Sequence, residues 1–478
     1  MTIWDSKKTN KMIQDEEGSF RDSMTTVDES GKRKWLFPKK PFGALFNKRK
    51  ILSYLLLFIM FVTPFLHKIF GFKNPVFLFD VVFRKEFFIF GQQFTSQDSF
   101  IFALGLVLFM VAIILFTTIF GRVWCGWLCP QTIFMEMVFR RIEFWIEGDA
   151  NKQRKLNKQD WNAEKIKKKS LKYFLFLILS WIITHMAVSW IIGVEKMQEM
   201  ILDNPKENWT FFIVMMALTL IIYGVYMRFR EQMCTTFCPY GRLQGVMLGK
   251  DSMVVAYDYN RGEPKGKKKD PNAGDCIDCN ACVTVCPTGI DIRNGTQMEC
   301  VNCTACIDAC DDIMFKLKRE PKLIGFFSEE SIETRKKFSF SLRQKAYMVV
   351  LVVLMAVIAF ITFNRTKIDA VILRNPGSTY TVNGNKIINM YKIDMVNKSG
   401  GDVQFLIETD FPEAELQFIG QSSDTLVVAE GKVMNGVMLV NIDSEKLDGM
   451  KTMINFQIKG LDGTLFDSSE STFLGPKK

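Results

Sequence analysis

Twelve cysteines mark this chain of 478 residues. Eight of them fall in one short block: CIDCNACVTVCP runs from Cys276 to Pro287, and CVNCTACIDAC from Cys300 to Cys310. Each stretch reads Cys-x2-Cys-x2-Cys-x3-Cys. That spacing lets a tight loop place three thiolates on three irons of a cubane while the fourth cysteine reaches another cluster. The expected ligand sets are therefore crossed. Cys276, Cys279, Cys282 and Cys310 would hold one 4Fe-4S cluster; Cys300, Cys303, Cys306 and Cys286 would hold the second. Structural zinc uses paired Cys-x2-Cys knuckles and needs neither the third cysteine nor the x3 interval, twice over. Cys310 is followed by Asp311 where Cys286 is followed by Pro287, and negative charge there is expected to lower the potential of the nearby cluster. A double cluster moves electrons singly, so a donor and an acceptor are required.

The other four cysteines form two matched pairs. GRVWCGWLCPQT (Gly121 to Thr132) carries Cys125 and Cys129, and EQMCTTFCPYGR, from Glu231, carries Cys234 and Cys238. Both pairs follow long apolar runs. If the local backbone is helical, the i, i+4 interval puts both sulfurs of a pair on one face. Pro130 and Pro239 suit the first turn of a following helix. After the first pair, Ile133, Phe134, Met137, Val138, Ile142 and Trp145 make one apolar face, with Glu136, Arg140 and Arg141 elsewhere. That pattern predicts an amphipathic helix lying in the membrane interface. The repeated order of helix, helix, Cys-x3-Cys-Pro resembles a parallel internal repeat, which would gather four thiols near a pseudo-twofold axis.

Free cysteines can be inert small hydrophobes. Soft thiolates also select Cu(I), zinc or iron–sulfur centres. Copper suits a ferredoxin neighbour, because reducing Cu(II) takes the single electron that a 4Fe-4S cluster supplies. Haem is not expected. The only histidines, His67 and His185, fall at different depths of the first and third apolar runs. His185 is an ionisable group in mid-membrane, a functional candidate by default, although a hydrogen bond within the bundle is the plainer reading. The 26 methionines read as flexible filler.

Stepping outward from the cysteines, five apolar runs could position them: 51–70, 99–120, 171–192, 209–227 and 346–363. Each approaches the length that crosses about 30 Å of hydrocarbon at 1.5 Å per residue, with almost no polar stripe. Lys and Arg crowd the block before the first run and the segment between the second and third. The positive-inside rule then places the N-terminus, both cysteine pairs and 228–345 in the cytoplasm, and the C-terminal tail outside. The same clustering beside apolar runs argues against nucleic acid as the reason for the net charge of +10. Residues 71–98 are apolar but interrupted by Asp80, Arg84, Lys85 and Glu86, so they read as a hairpin or interfacial segment. No cleavable signal peptide is evident, and the first residues read as disordered.

Beyond residue 366 the period changes to two. Tyr391, Ile393 and Met395 alternate with Lys392 and Asp394; Val403, Phe405 and Ile407 with Gln404; Ile454, Phe456 and Ile458 with Asn455 and Gln457. Asp462-Gly463 marks a hairpin turn. The expected architecture is a multi-domain membrane protein. A five-span α-helical bundle carries an inserted bacterial-type 2×4Fe-4S ferredoxin domain and a C-terminal immunoglobulin-like β-sandwich. The expected boundaries are a tail at 1–48, four spans at 49–248, the ferredoxin domain at 249–345, a fifth span at 346–364 and the sandwich at 365–478.

GRVWCGWLCPQT, FWIEGD (144–149), MCTTFCPYGRLQ, VVAYDYNRGEPKG (254–266) and the cluster block together resemble the CcoG/FixG/RdxA family of cytochrome c oxidase accessory proteins. The resemblance runs from about residue 35 to the end. It implies a role in making the cbb3-type oxidase by reducing Cu(II) to Cu(I), with copper at Cys125, Cys129, Cys234 and Cys238 as catalytic positions. It implies a bacterial inner membrane, a periplasmic sandwich, a cytoplasmic electron donor, and oxidase subunits or copper-handling assembly proteins as partners. A weaker likeness to NapH-type quinol dehydrogenases keeps quinol oxidation as the alternative. A non-catalytic copper-holding scaffold is the third reading.

Overall fold

In the computed structural model, five helices among the described residues are long and apolar enough to cross a membrane: Ala44–Phe70, Phe100–Phe120, Ala163–Ile192, Trp209–Phe229 and Leu342–Thr362. The structure describes residues 25–27, 32–72, 74–80, 86–89, 91–94, 99–204, 206–266, 271–336, 338–363, 368–375, 379–397, 401–411, 414–419, 425–429, 433–447 and 449–476. Residues 1–24, read as disordered, and Arg84 and Lys85 lie outside that set. Two units separate, Met1–Ala356 and Val357–Lys478.

In the first unit, α1 (Ala44–Val62) continues through a 3-10 turn into Leu66–Phe70. Then come α2 (Ser99–Phe120), the short α3 (Val123–Trp127), α4 (Ala163–Ile192), α5 (Trp209–Gly224) and α6 (Pro239–Met247). Two helices of the cluster block follow, α7 (Ala281–Val285) and α8 (Ala305–Leu317), and then α9 (Leu342–Phe363). Helix α4 starts where the Asn162 side chain accepts from the Lys165 N–H at 2.8 Å and stops at Gly193, whose φ of 84° takes the chain out of helical space. The span helices leave large apolar side chains such as Phe58, Phe109, Ile221 and Val352 exposed, as lipid contact requires. The loop after α1 forms an antiparallel meander of β1 (Phe77–Asp80), β2 (Glu86–Ile89) and β3 (Gln92–Phe94). This is the expected hairpin segment, extended by one strand. The cluster block is closed by β4 (Val254–Tyr257) paired antiparallel with β5 (Ile324–Phe327).

One expectation changes. The helical stretch 130–146 is not an interfacial helix with a wet face. Its middle, Phe134–Phe139, is wound as a π-helix; Phe134, Met135 and Phe139 are buried against Phe176, Ile183, Met186 and Tyr226, and Met137 is buried as well. Its charged side is buried too. Lys172 Nζ lies 2.8 Å from Glu147 and 3.5 Å from Glu143, Lys169 Nζ lies 2.9 Å from Glu147, and Arg230 pairs with Glu143. The partners come from α4 and the end of the fourth span, so the sequence around residue 140 does not announce them. Buried pairs of this kind add little net stability.

The second unit is a β-sandwich. One sheet has the order β10 (Glu415–Phe418), β12 (Val433–Asp443), β8 (Lys386–Asn397), β6 (Ile368–Arg374), with β7 (Thr381–Asn383) also on β8. The other runs β11 (Leu426–Val428), β9 (Val403–Thr409), β13 (Lys451–Gly460), β14 (Leu465–Leu474). Tyr391, Ile393 and Met395 from one sheet meet Phe405, Phe456, Ile458 and Phe473 from the other, all fully buried. Each such side chain contributes about 1.5–3 kcal/mol by burial. Gly463, at φ 80°, turns the β13–β14 hairpin.

Candidate electron-transfer site

The two cysteine loops of the cluster block are wound alike. Asp278 and Asn280 in the first, and Asn302 and Thr304 in the second, all take positive φ between 52° and 66°. Asp and Asn tolerate this left-handed conformation better than most residues, which explains three of the four choices. Each loop then enters a helix, and the last cysteine of each motif is carried away from its own loop.

Two pockets result. One is lined by Cys276, Cys279, Cys282 and Cys310 together with Tyr257, Met314 and Leu323. The other is lined by Cys286, Cys300, Cys303 and Cys306, together with Cys282, which both pockets share, and Val255, Ile290 and Ile292. Burial pushes Cys282 up to about 11 and Cys310 up to about 12, and likewise Cys303 to about 11 and Cys300 to about 12. Thiols in such walls stay protonated unless a metal stabilises the thiolate. Four sulfurs around each pocket fit a 4Fe-4S cluster in each.

Arginines supply counter-charge that the cysteine spacing does not signal. Arg293 donates from Nε to Asp291 at 2.8 Å and from Nη2 to Asn280 at 2.5 Å, pinning the first loop, and its charge favours the Cys282 thiolate. Arg49 of α1 favours the Cys303 thiolate and donates from Nε to the Gly126 carbonyl at 2.7 Å. Arg122 donates to the Met298 carbonyl and favours the thiolates of both Cys300 and Cys125.

The membrane-edge pairs share a different local plan. Cys125 lies in α3 and Cys129 is extended, capping the helix that starts at Pro130. Cys234 lies in the π-turn Met233–Phe237 and Cys238 is extended, capping α6 at Pro239. Each pair thus straddles a helix break, so its two sulfurs do not ride one helix face. The prolines do occupy the first helical turn in both copies.

Two of the four thiols, Cys125 and Cys234, nonetheless share one packed cluster, and the other two lie within electrostatic range of them. Cys125 feels the charge of Cys129 and Cys238, and Cys234 feels Cys129, Cys125 and Cys238. Burial raises Cys125 to about 11 and Cys234 to about 12. Cys125 Sγ donates to Gln244 Oε1 at 2.9 Å, and Thr132 Oγ1 lies 3.8 Å from Cys234 Sγ. Arg140 spans the two loops, with Nη1 at 2.8 Å from Glu136 and Nη2 at 3.6 Å from Glu231.

The pairs also abut the cluster block. Cys125 and Cys234 pack in one apolar cluster with Cys303 and Cys306, alongside Val301, Ala305 and Tyr240. Gly126 sits so close that a Cβ there would lie 2.3 Å from the Val301 carbonyl oxygen. The cavity holding Cys303 and Cys306 is therefore the one next to the membrane-edge thiols.

The N-terminal segment is bonded to the cluster block and to the second cysteine stretch. Thr25 Oγ1 donates to the Thr288 carbonyl at 2.7 Å, the Lys39 N–H to Thr284 at 2.8 Å, and Arg33 pairs with Glu231 at 2.9 Å. The Asp308 carboxylate accepts from the Leu45 and Phe46 N–H groups at 3.1 and 2.7 Å, capping α1 from within the cluster block. The histidines stay apart from this site. His67 Nε2 lies 2.7 Å from Glu195, and His185 Nδ1 donates to the Trp181 carbonyl at 2.8 Å.

Comparison with known proteins agrees with this layout. Residues 229–329 match the 4Fe-4S dicluster domain model, 102–152 a 4Fe-4S binding domain, and 358–476 the IG-like fold at the C-terminus of FixG. Protein RdxA of Cereibacter sphaeroides is 35% identical over 390 residues, covering 78% of this chain and 82% of that protein. Protein RdxB of the same organism is 32% identical over 424 residues, covering 84% and 88%. The chain belongs to the FixG/RdxA family. The nitrogen fixation protein FixG of Rhizobium meliloti is 37% identical over 310 residues, covering 62% of this chain and 57% of that protein. Membership makes this an iron–sulfur membrane protein of an oxidoreductase family, consistent with electron transfer.

Proposed function

We propose that the chain carries single electrons from a cytoplasmic donor through two 4Fe-4S clusters to the four membrane-edge thiols, where Cu(II) is reduced to Cu(I) for assembly of a cbb3-type cytochrome c oxidase. In this reading Cys276, Cys279, Cys282 and Cys310 hold the distal cluster, and Cys286, Cys300, Cys303 and Cys306 the proximal one. Cys125, Cys129, Cys234 and Cys238 form the terminus, and copper is substrate. Each Cu(II) takes one electron, which the donor replaces, and no proton need move. The reading places residues 49–248 and 346–364 in a bacterial inner membrane and 249–345 in the cytoplasm. The sandwich at 365–478 then faces the periplasm, where oxidase subunits or assembly proteins would meet it.

The observation that carries the proposal is the packing of Cys125 and Cys234 against Cys303 and Cys306. Quinol oxidation needs a base to take protons. Glu136 is held by Arg140 and His185 by its own helix, which leaves both engaged. The test is anaerobic. The clusters are reduced with dithionite, excess reductant is removed, Cu(II) is added, and cluster reoxidation is followed beside Cu(I) caught by a chelator. One Cu(I) per electron lost is the expected result. No reoxidation by Cu(II), with rapid reduction by a quinol analogue, would replace this reading with the quinol one. Stoichiometric Cu(I) binding without turnover would leave only a scaffold.

A further inference from the structure

The stretch VVAYDYNRGEPKG (254–266) holds no cysteine, yet its second half is bonded around one of them, Cys276. The Gly262 carbonyl accepts from the Cys276 N–H at 3.4 Å, and the Gly266 N–H donates to the Cys276 carbonyl at 3.1 Å. Asp258 opens the turn Tyr259–Gly262 by accepting from the Arg261 N–H. Arg261 Nε donates to Asp275, next to Cys276, at 2.7 Å. Backbone bonds and an ion pair are enough to hold this loop. They do not account for the tyrosine that precedes it.

Tyr257 ends β4 and is 4% exposed. It lines the distal pocket with Cys276, Cys279, Cys282 and Cys310. Burying a phenol costs free energy unless its hydroxyl is bonded, and phenylalanine would fill the same wall without that cost. The hydroxyl donates to Glu263 Oε1 at 3.2 Å and also lies in hydrogen-bond reach of the Cys276 sulfur. Gly262 keeps room for it, since a Cβ there would lie 2.1 Å from the Tyr257 oxygen. Glu263 faces outward. Its side chain is 43% exposed, and its Oε2 accepts from the Lys265 N–H at 3.1 Å. The phenol has one proton to donate and two acceptors for it, a surface carboxylate and a cluster sulfur.

Hydrogen bonds to the sulfurs are among the levers that set a cluster's reduction potential. A reduced cluster carries one more negative charge, so its sulfurs accept more strongly and a donor favours that state. We infer that Tyr257 is a positioning residue for the electron path: its hydroxyl, shared between Glu263 and Cys276, raises the reduction potential of the distal cluster. The proton stays on the phenol oxygen throughout. Only the favoured acceptor changes, from carboxylate toward sulfur, as the cluster gains its electron. The inference rests on the distal cluster of the electron-transfer reading and not on copper.

Full-length protein is purified without oxygen and titrated with dithionite, and electron paramagnetic resonance follows each cluster. The distal signal is the one that Cys276→Ser alters. Tyr257→Phe should make the distal cluster about tenfold harder to reduce, a potential about 59 mV lower, with the proximal one unmoved. Glu263→Gln offers a weaker acceptor and should move the distal potential upward. The decisive comparison is Glu263→Gln in the Tyr257→Phe background. A carboxylate that acts through the phenol loses its effect there, whereas one that acts by charge alone gives the same shift in both backgrounds. An unmoved distal potential in Tyr257→Phe, equal Glu263→Gln shifts in both backgrounds, or a joint shift of both clusters overturns the inference. Were Tyr257→Phe to lose the distal cluster, Glu263→Gln alone decides: an upward shift supports the inference, and none or a downward one sinks it. A wild-type chain without a distal cluster removes the electron-transfer reading and this inference with it. Two clusters with no Tyr257 effect remove the inference alone.

Discussion

The cluster block and the membrane-edge pairs both gather thiols, but they do so by opposite means. In the block, eight cysteines lie within 35 residues, and left-handed turns at Asp278, Asn280, Asn302 and Thr304 wrap each loop around its own cavity. At the membrane edge, four cysteines come from stretches about a hundred residues apart, and each loop holds only two. No local turn can close that site. It is assembled by helix packing, by Arg140 reaching from Glu136 to Glu231, and by the cluster block against which both loops lean. Dense spacing thus makes a site that carries its own geometry, and sparse spacing makes one that inherits it.

The sharpest way to break that dependence is Gly126→Ala. The new methyl would meet backbone, with Val301 O at 2.3 Å and the Asn302 carbonyl carbon at 3.0 Å, so no rotamer relieves it. Overpacking of this kind costs about 1–3 kcal/mol. The two loops must part, and electron transfer between them should slow by roughly ten- to a hundredfold, as for other misplaced reacting groups. Stopped-flow reoxidation of the reduced clusters by Cu(II) reads the rate, and iron analysis checks that the block clusters persist. An unchanged rate would mean that electrons leave by another route.

The same contrast explains what the sequence discloses. The eight-cysteine spacing is a local code, and so is the period-two pattern of Tyr391, Ile393 and Met395, which are all fully buried in the sandwich. The span helices are legible because lipid demands continuous apolar length. What stays hidden depends on partners distant in the chain. Glu136, Arg140 and Arg141 suggest a wet helix face, yet Arg140 is buried and reaches Glu231 from beyond the fourth span as well as Glu136. The contacts of Thr25, Arg33 and Lys39 are hidden in the sequence, because their bonds to Thr288, Glu231 and Thr284 cross two hundred residues or nearly so. Arg49 lies in a stretch rich in positive charge and Arg122 is a lone cation at the end of an apolar run, so neither is singled out by its neighbours as a counter-charge for sulfur. The positive φ of Asn302 and Asp278 does have a signal, since Asp and Asn are the residues that accept it most readily.

Charge offers a gentler probe. Arg122→Gln removes a cation from beside Cys300 and Cys125, whereas Arg293→Gln removes one from beside Cys282. A reduced cluster is more negative than an oxidised one, so losing the cation disfavours reduction and lowers the potential. At a moderate effective dielectric the loss is about 1–2 kcal/mol, roughly 40–90 mV for one electron. Redox titration followed by electron paramagnetic resonance should show Arg122→Gln moving the proximal cluster and Arg293→Gln the distal one. A shift of both signals together in either variant would mean that the two cavities share their electrostatics, not that each loop sets its own.

The smallest test compares the two loops of the block with each other. Asn280 and Thr304 occupy equivalent positions, each following the second cysteine of its motif and each at a left-handed φ, 55° and 66°. Asn tolerates that conformation, while a β-branched residue is strained there. Thr304 is buried, its hydroxyl donates to the Cys303 carbonyl at 2.7 Å, and it lines the proximal cavity. Thr304→Asn has nearly the same volume, keeps a donor and removes the branch. If the strain is merely tolerated, the variant should gain about 0.5–1 kcal/mol, raising the melting temperature by about 1–3 °C with iron content unchanged. A lower melting temperature with loss of about four irons would instead show that the threonine methyl is part of the cavity wall, and that its strain belongs to the site.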